Sequence, residues 1–171
     1  MSRIERLQPR HAATYRALML HAYAAHPHAF TSTAEERAAL PVTWWESRLS
    51  TAEDAEEVVW AVTEDQAILG VVGLGFNNRT KARHKVSLFG MYVAPDQQNK
   101  GLGHALVSAA LKYAATRPHA LLVQLTVSEN NPAAIGLYER SGFASFGVEP
   151  WAVAIDDGFI SKVHMSRLLN A

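Results

Sequence analysis

The chain contains no cysteine, which removes disulfides, thiolate metal centres and a cysteine nucleophile together. It also lacks net charge: sixteen Lys and Arg offset sixteen Asp and Glu. A neutral chain draws in neither nucleic acid nor an anionic membrane by its overall field, so any anion it binds must be held by local geometry. No apolar run approaches the roughly 20 residues of a transmembrane helix. The opening residues Met1-Ser2-Arg3-Ile4-Glu5-Arg6 lack the hydrophobic stretch of a secretory leader. Repeats, linkers and low-complexity tracts are missing too. What remains is 171 residues, 49% hydrophobic and 19% charged, enough apolar material for a core and too much for disorder. The expectation is one soluble, cytoplasmic domain over residues 1–171, with no membrane or nucleic-acid partner.

Hydrophobic periodicity predicts the elements. Arg3–Leu7 reads as a short strand stopped by Pro9. Tyr15, Leu18, Met19 and Ala22 recur at helical spacing until His26-Pro27-His28. A second helical stretch follows Pro41 and carries Trp44, Trp45 and Leu49. Strands are expected at Val58–Val62 and Ile68–Phe76 around the turn Glu64-Asp65-Gln66, then at Val86–Val93. The chain next alternates: a helix with Leu102, Leu106, Ala109, Ala110 and Tyr113 on one face, a strand at Leu121–Val127, and a helix from Asn131-Pro132 to Gly142. Strands near Phe146–Ile155 and Phe159–Leu168 flank Asp156-Asp157-Gly158. The fold class is α/β: a mixed sheet with a βαβ unit at its middle and hairpin-like strands on either side.

The segment richest in chemistry is Val93-Ala94-Pro95-Asp96-Gln97-Gln98-Asn99-Lys100-Gly101-Leu102-Gly103-His104. A strand ends, a proline turn follows, and two glycines open an amphipathic helix. Helix starts carry unpaired N–H groups and partial positive charge, so they bind phosphate oxygens; Lys100 adds a charge at the mouth. The pattern is not Gly-x-Gly-x-x-Gly, because Leu106 takes the third glycine's place, and no Gly-Lys-Ser/Thr follows. This argues against NAD and ATP. Glycines used only for close packing would read the same way.

Gln98-Asn99-Lys100-Gly101-Leu102-Gly103 resembles the Arg/Gln-x-x-Gly-x-Gly/Ala signature of the GNAT superfamily of N-acetyltransferases, and Gly90-Met91-Tyr92-Val93-Ala94-Pro95 resembles the strand leading into it. Downstream, Asn131-Pro132-Ala133-Ala134-Ile135-Gly136-Leu137-Tyr138 followed by Gly142-Phe143 is similar to that family's second hallmark, Asn-x-x-Ala-x-x-Leu-Tyr before a Gly-Phe pair. The likeness is strong over Val86–Phe146. Ala29-Phe30-Thr31-Ser32, Gly147-Val148-Glu149 and His164-Met165 are similar to features of a branch acting on small amines. The resemblance implies a mostly antiparallel sheet whose two parallel middle strands splay apart, flanked by helices. It implies acetyl-CoA as acyl donor, with the backbone of Met91, Tyr92 and Val93 pairing with the pantetheine arm. It also implies that the amides of Gln98, Asn99, Lys100, Gly101, Leu102 and Gly103, with His104, hold the pyrophosphate. Asn131 would bond the arm, and Tyr138 would lie beside the thioester sulfur.

Acetyl transfer to an amine needs a neutral amine, donors for the carbonyl oxygen and a proton for the leaving thiolate. The phenol of Tyr138 suits the last role, and a backbone N–H near Val93 the second. The strand Lys85-Val86-Ser87-Leu88-Phe89-Gly90-Met91 has no acid to serve as base, so Glu149 is the leading candidate; His164, on a strand running toward Met165, reads either as a group of the acceptor pocket or, more commonly for a lone strand histidine, as structural. His26 and His28 have no third ligand nearby, so no metal is expected. The run Arg79–Lys85 reads as a solvated connection rather than a nucleic-acid patch. The expected acceptor is a small-molecule primary amine; a protein lysine or N-terminal amine, and a non-catalytic acyl-CoA sensor, are the alternatives. A homodimer is compatible with the sequence.

Overall fold

The computed structural model of the chain describes residues 1–170. Seven strands form one sheet in the order β1-β2-β3-β4-β5-β7-β6. They are β1 (Arg3–Arg6), β2 (Glu57–Glu64), β3 (Ala67–Phe76), β4 (Lys85–Val93), β5 (Leu122–Ser128), β6 (Ala144–Ile155) and β7 (Gly158–Leu168). Among the described residues five α-helices accompany them, α1 (Ala12–Ala25), α2 (Ala34–Ala38), α3 (Val42–Arg48), α4 (Leu102–Thr116) and α5 (Pro132–Arg140), with single 3-10 turns at Pro9–His11 and Pro95–Gln97. All neighbouring strands are antiparallel except β4 and β5, so the α/β class and the parallel middle pair follow the sequence reading. No helix among the described residues is long and apolar enough to cross a membrane.

Period-2 alternation explains why both faces of the sheet are covered. On β2, Val58 and Val62 join a core with Val72, Leu74, Val86 and α4. The intervening Val59 and Ala61 join a second core with Tyr15, Met19, Ala22 and Trp45 of α1 and α3. The β2–β3 hairpin turns on Asp65 and Gln66, both at positive φ (49° and 71°), the geometry that matches the twist of the flanking strands.

The structure adds two details that the sequence reading did not contain. The short helix α2 was not expected, although Thr33 and Glu36 close a reciprocal capping box, Thr33 Oγ1 accepting from Glu36 N at 3.1 Å and Glu36 Oε2 from Thr33 N at 3.1 Å. Five residues are too few to show periodicity. The last two strands also enter the sheet out of chain order: β7 inserts beside β5 and leaves β6 at the edge.

The α5 terminus bears directly on the candidate site. Gly142 has φ +92°; its N–H donates to Glu139 O at 3.0 Å, and Phe143 N–H donates to Tyr138 O at 3.0 Å. These bonds make a Schellman motif, completed by the edge-on packing of Phe143 against Tyr138 at 5.9 Å between centroids. A Cβ on Gly142 would lie 2.7 Å from Arg167 Nε. Gly142→Ala should therefore cost about 1–2 kcal/mol, the penalty of a left-handed non-glycine residue. Urea unfolding of the two proteins checks it, and coincident midpoints would contradict the assignment.

Candidate functional site

The sheet is interrupted at its centre. β4 and β5 pair over only three positions, Lys85↔Leu122, Val86↔Val123 and Ser87↔Gln124, and then separate. On its other side β4 carries a bulge. Val71 pairs with Tyr92 and Gly73 with Phe89, so Val72 of β3 faces both Gly90 and Met91. Gly90 has φ +61°, the left-handed residue of a glycine bulge. The bulge reverses which face each later residue meets: Val86, Leu88 and then Met91 all contact the α4 core. Between the splayed strands lies a cavity of ≈ 130 Å³ lined by Leu88, Met91, Thr126, Asn131, Leu137 and Tyr138 among others. Strand edges facing such a gap need hydrogen-bonding partners, and an extended, chain-like ligand supplies them.

The mouth of the gap is the start of α4. Asn99 and Gly101 lie at φ +63° and +78°, and the first bond closing the helix is Ala105 N–H to Gly101 O at 3.1 Å. The N–H groups of Leu102, Gly103 and His104 therefore precede any intrahelical partner, and the first turn holds no carboxylate. The two glycines serve different ends. A Cβ on Gly101 would meet nothing within 4 Å, whereas one on Gly103 would lie 3.2 Å from Leu137 and 3.3 Å from Met91. Gly101 is required by conformation, and Gly103 lets α4 and α5 approach. Gln98 Nε2 donates to Val93 O at 3.1 Å and ties the loop to the end of β4. Lys100 Nζ reaches Gln97 Oε1 at 3.3 Å, and His104 Nδ1 lies 3.5 Å from Ser141 Oγ. An open anion cradle continuous with an unpaired strand edge fits a ligand that combines a diphosphate with a long amide-bearing arm, as coenzyme A does.

The other expected residues fall into two groups. Asn131 caps α5, its Oδ1 accepting from Ala134 N at 3.2 Å, so its amide nitrogen is the group left to donate into the cavity. Tyr138 is buried beside it, and that burial pushes its phenol above the ordinary tyrosine range; it stays a proton donor at any pH near neutral. Tyr92 turns its ring to the opposite face, between His26 and Phe30, so only its backbone borders the gap; its buried hydroxyl has no protein partner. The carbonyl of Val93 already accepts from Gln98. Glu149 stands apart. It lies on edge strand β6, lines neither this cavity nor the larger basin described next, and pairs with His164, Oε1 to Nε2 at 2.7 Å. His164 sits opposite Thr126 in the β5–β7 register, one strand from the gap.

Sequence reasoning missed a basin of ≈ 790 Å³ on the sheet face carrying α3, with Ser87, Phe89 and Gln124 among its lining and Arg48 and Glu57 on its wall. Arg48 Nε bonds Glu57 Oε2 at 2.9 Å. Its guanidinium stacks 4.6 Å from the Trp44 centroid and 4.7 Å from that of Phe89. Beneath it lies the fully buried Tyr15, whose phenol burial pushes up to about 12. Arg48, Glu57 and Phe89 come from a helix end, a strand start and a strand middle, and no sequence motif links the three.

Residues 16–143 match the family model described as Acetyltransferase (GNAT) family. A spermidine N(1)-acetyltransferase from Vibrio cholerae is 36% identical over 64 residues, which are 37% of this chain and 37% of that protein; the match thus spans little more than a third of that relative. The crystal structure of an acetyltransferase of the GNAT family from Streptococcus pneumoniae superposes with TM-score 0.86 at 26% identity, covering 98% of this chain and 99% of the other. The structure of yncA from Salmonella typhimurium with its cofactor acetyl-CoA shares the fold at TM-score 0.80 and 20% identity, covering 100% and 95%.

If the start of α4 is the anion cradle, Gly101→Val should weaken coenzyme A binding by about tenfold or more, because a β-branched residue cannot hold φ +78° without moving the amides. Calorimetry on both proteins measures it, with circular dichroism as the fold control. Equal affinities would remove the cradle.

Proposed function

The chain belongs to the GNAT acetyltransferase family, and on that premise we propose that it transfers the acetyl group of acetyl-CoA directly to the primary amine of a small molecule. The observation that carries this reading is the continuity of three elements: free amides at the start of α4, the unpaired gap between β4 and β5, and the buried phenol of Tyr138 on the wall of that gap.

Acetyl-CoA supplies an activated acyl thioester. Residues 98–104 bind the diphosphate, chiefly through the N–H groups of Leu102, Gly103 and His104. The backbone of Met91, Tyr92 and Val93 and the Asn131 amide align the arm along β4. With the diphosphate at the mouth and the strands converging at Ser87 and Gln124, the acyl end lies near the apex, where a bulge amide of β4 donates to its carbonyl oxygen. Tyr138 gives a proton to the departing sulfur. The phenol suits this task because it remains protonated where an amine begins to lose its own proton.

The amine enters from the basin lined by Ser87, Gln124 and Glu57, whose ≈ 790 Å³ admits a small molecule whole. The spermidine-acetylating relative supports an acceptor of that size. Glu149, bonded to His164 at 2.7 Å and lining neither the cavity nor the basin, takes up the amine's proton through intervening water. With no cysteine in the chain, transfer passes through a complex holding both substrates, without an acetylated enzyme.

Tyr138→Phe should lower kcat by about 10²–10⁴ and leave coenzyme A affinity unchanged. Because its phenol is shifted upward, the wild-type rate should climb with pH as the amine deprotonates and show no fall from tyrosine ionisation up to about pH 10. Glu149→Gln should move the rising limb to higher pH. Turnover by Tyr138→Phe equal to wild type would contradict the assignment of the acid.

A further inference from the structure

We propose that the ring of Phe89 restricts this site to short acyl groups, acetyl above all, by filling the space into which a longer acyl chain would extend where the gap meets the acceptor basin. The proposal rests on the acetyl-CoA reading and concerns a choice which that reading leaves open.

Phe89 is the one residue shared by the linings of the ≈ 130 Å³ cavity and the ≈ 790 Å³ basin. A ligand whose diphosphate sits at α4 and whose arm follows β4 toward Ser87 brings its acyl end to Leu88 and Phe89. A longer chain could continue only where the ring now stands. The ring is fixed on both faces. Below it is Gly73, its register partner on β3, where a Cβ would fall 2.5 Å from Cε2 and 2.6 Å from Cζ of Phe89; the ring occupies the space a side chain would fill. Above it the Arg48 guanidinium stacks at 4.7 Å, held in turn by Glu57 at 2.9 Å and by Trp44 at 4.6 Å. The backbone after it enters the Gly90 bulge, so position 89 cannot slide along the strand without breaking the ladder. A side chain packed this way moves only at the cost of its neighbours' contacts. An acyl chain that displaced it would also fill the basin the amine needs.

Calorimetry with coenzyme A, acetyl-CoA and hexanoyl-CoA tests this without any acceptor. The wild type should bind hexanoyl-CoA at least about tenfold more weakly than acetyl-CoA, the scale of forcing methylenes against a packed wall. Phe89→Ala should bring the two affinities within about threefold while leaving that for coenzyme A unchanged. Phe89→Leu, which keeps the strand apolar, should fall between them and serves if the alanine variant does not fold. Wild-type protein that binds hexanoyl-CoA as tightly as acetyl-CoA overturns the proposal, and so does selectivity that survives both substitutions. Failure to bind coenzyme A itself overturns the underlying reading instead, so the two failures are told apart.

Discussion

The three-residue contact between β4 and β5 is the constraint on which the rest of the site depends. Two parallel strands buried between helical layers would ordinarily pair along their length, since unpaired backbone in a sheet interior is costly. Here each strand is held from its far side: β4 by its ladder to β3, and β5 by seven register pairs to β7. Those two ladders hold the strands on diverging lines, and the gap lies between them. The bulge at Gly90 bends β4 just beyond the last β5 pair, and α5 packs Leu137 and Tyr138 across the opening. An interior strand edge is thereby left unpaired, the edge along which we propose that the arm of acetyl-CoA lies.

Electrostatics at this site works through groups that carry no formal charge. The chain is neutral overall, and the cradle offers amides and a helix terminus, with Lys100 exposed beside them. Tyr138 is a neutral acid kept neutral by burial. Formal charge collects instead around the basin, where Arg48 and Glu57 compensate each other. Such a pair adds little net field, and its effect is to hold the aromatic wall formed by Trp44 and Phe89.

Local signals were legible in the sequence and non-local ones were not. Pro132, Asn131 and Gly142 marked α5 because capping chemistry depends on a few adjacent residues. The two glycines marked the start of α4, although only the structure separates the conformational need at Gly101 from the close packing at Gly103. Counting alternate residues along β4 misassigns the face of Tyr92, because the bulge adds one position that no hydrophobic pattern reports. The edge position of β6, and with it the distance of Glu149 from the gap, follows from strand order. The Arg48–Glu57–Phe89 cluster joins the end of α3 and the start of β2, nine residues apart, to the middle of β4, and it forms through strand pairing that residue spacing does not report.

Hydrogen–deuterium exchange with and without saturating acetyl-CoA tests the central claim most directly, because it reads backbone amides one segment at a time. The account predicts slowed exchange in two separate stretches, residues 88–93 of β4 and 102–104 at the start of α4, with edge strand β6 unaltered. Protection confined to β6 and β7, or none at either stretch with the ligand bound, would contradict it.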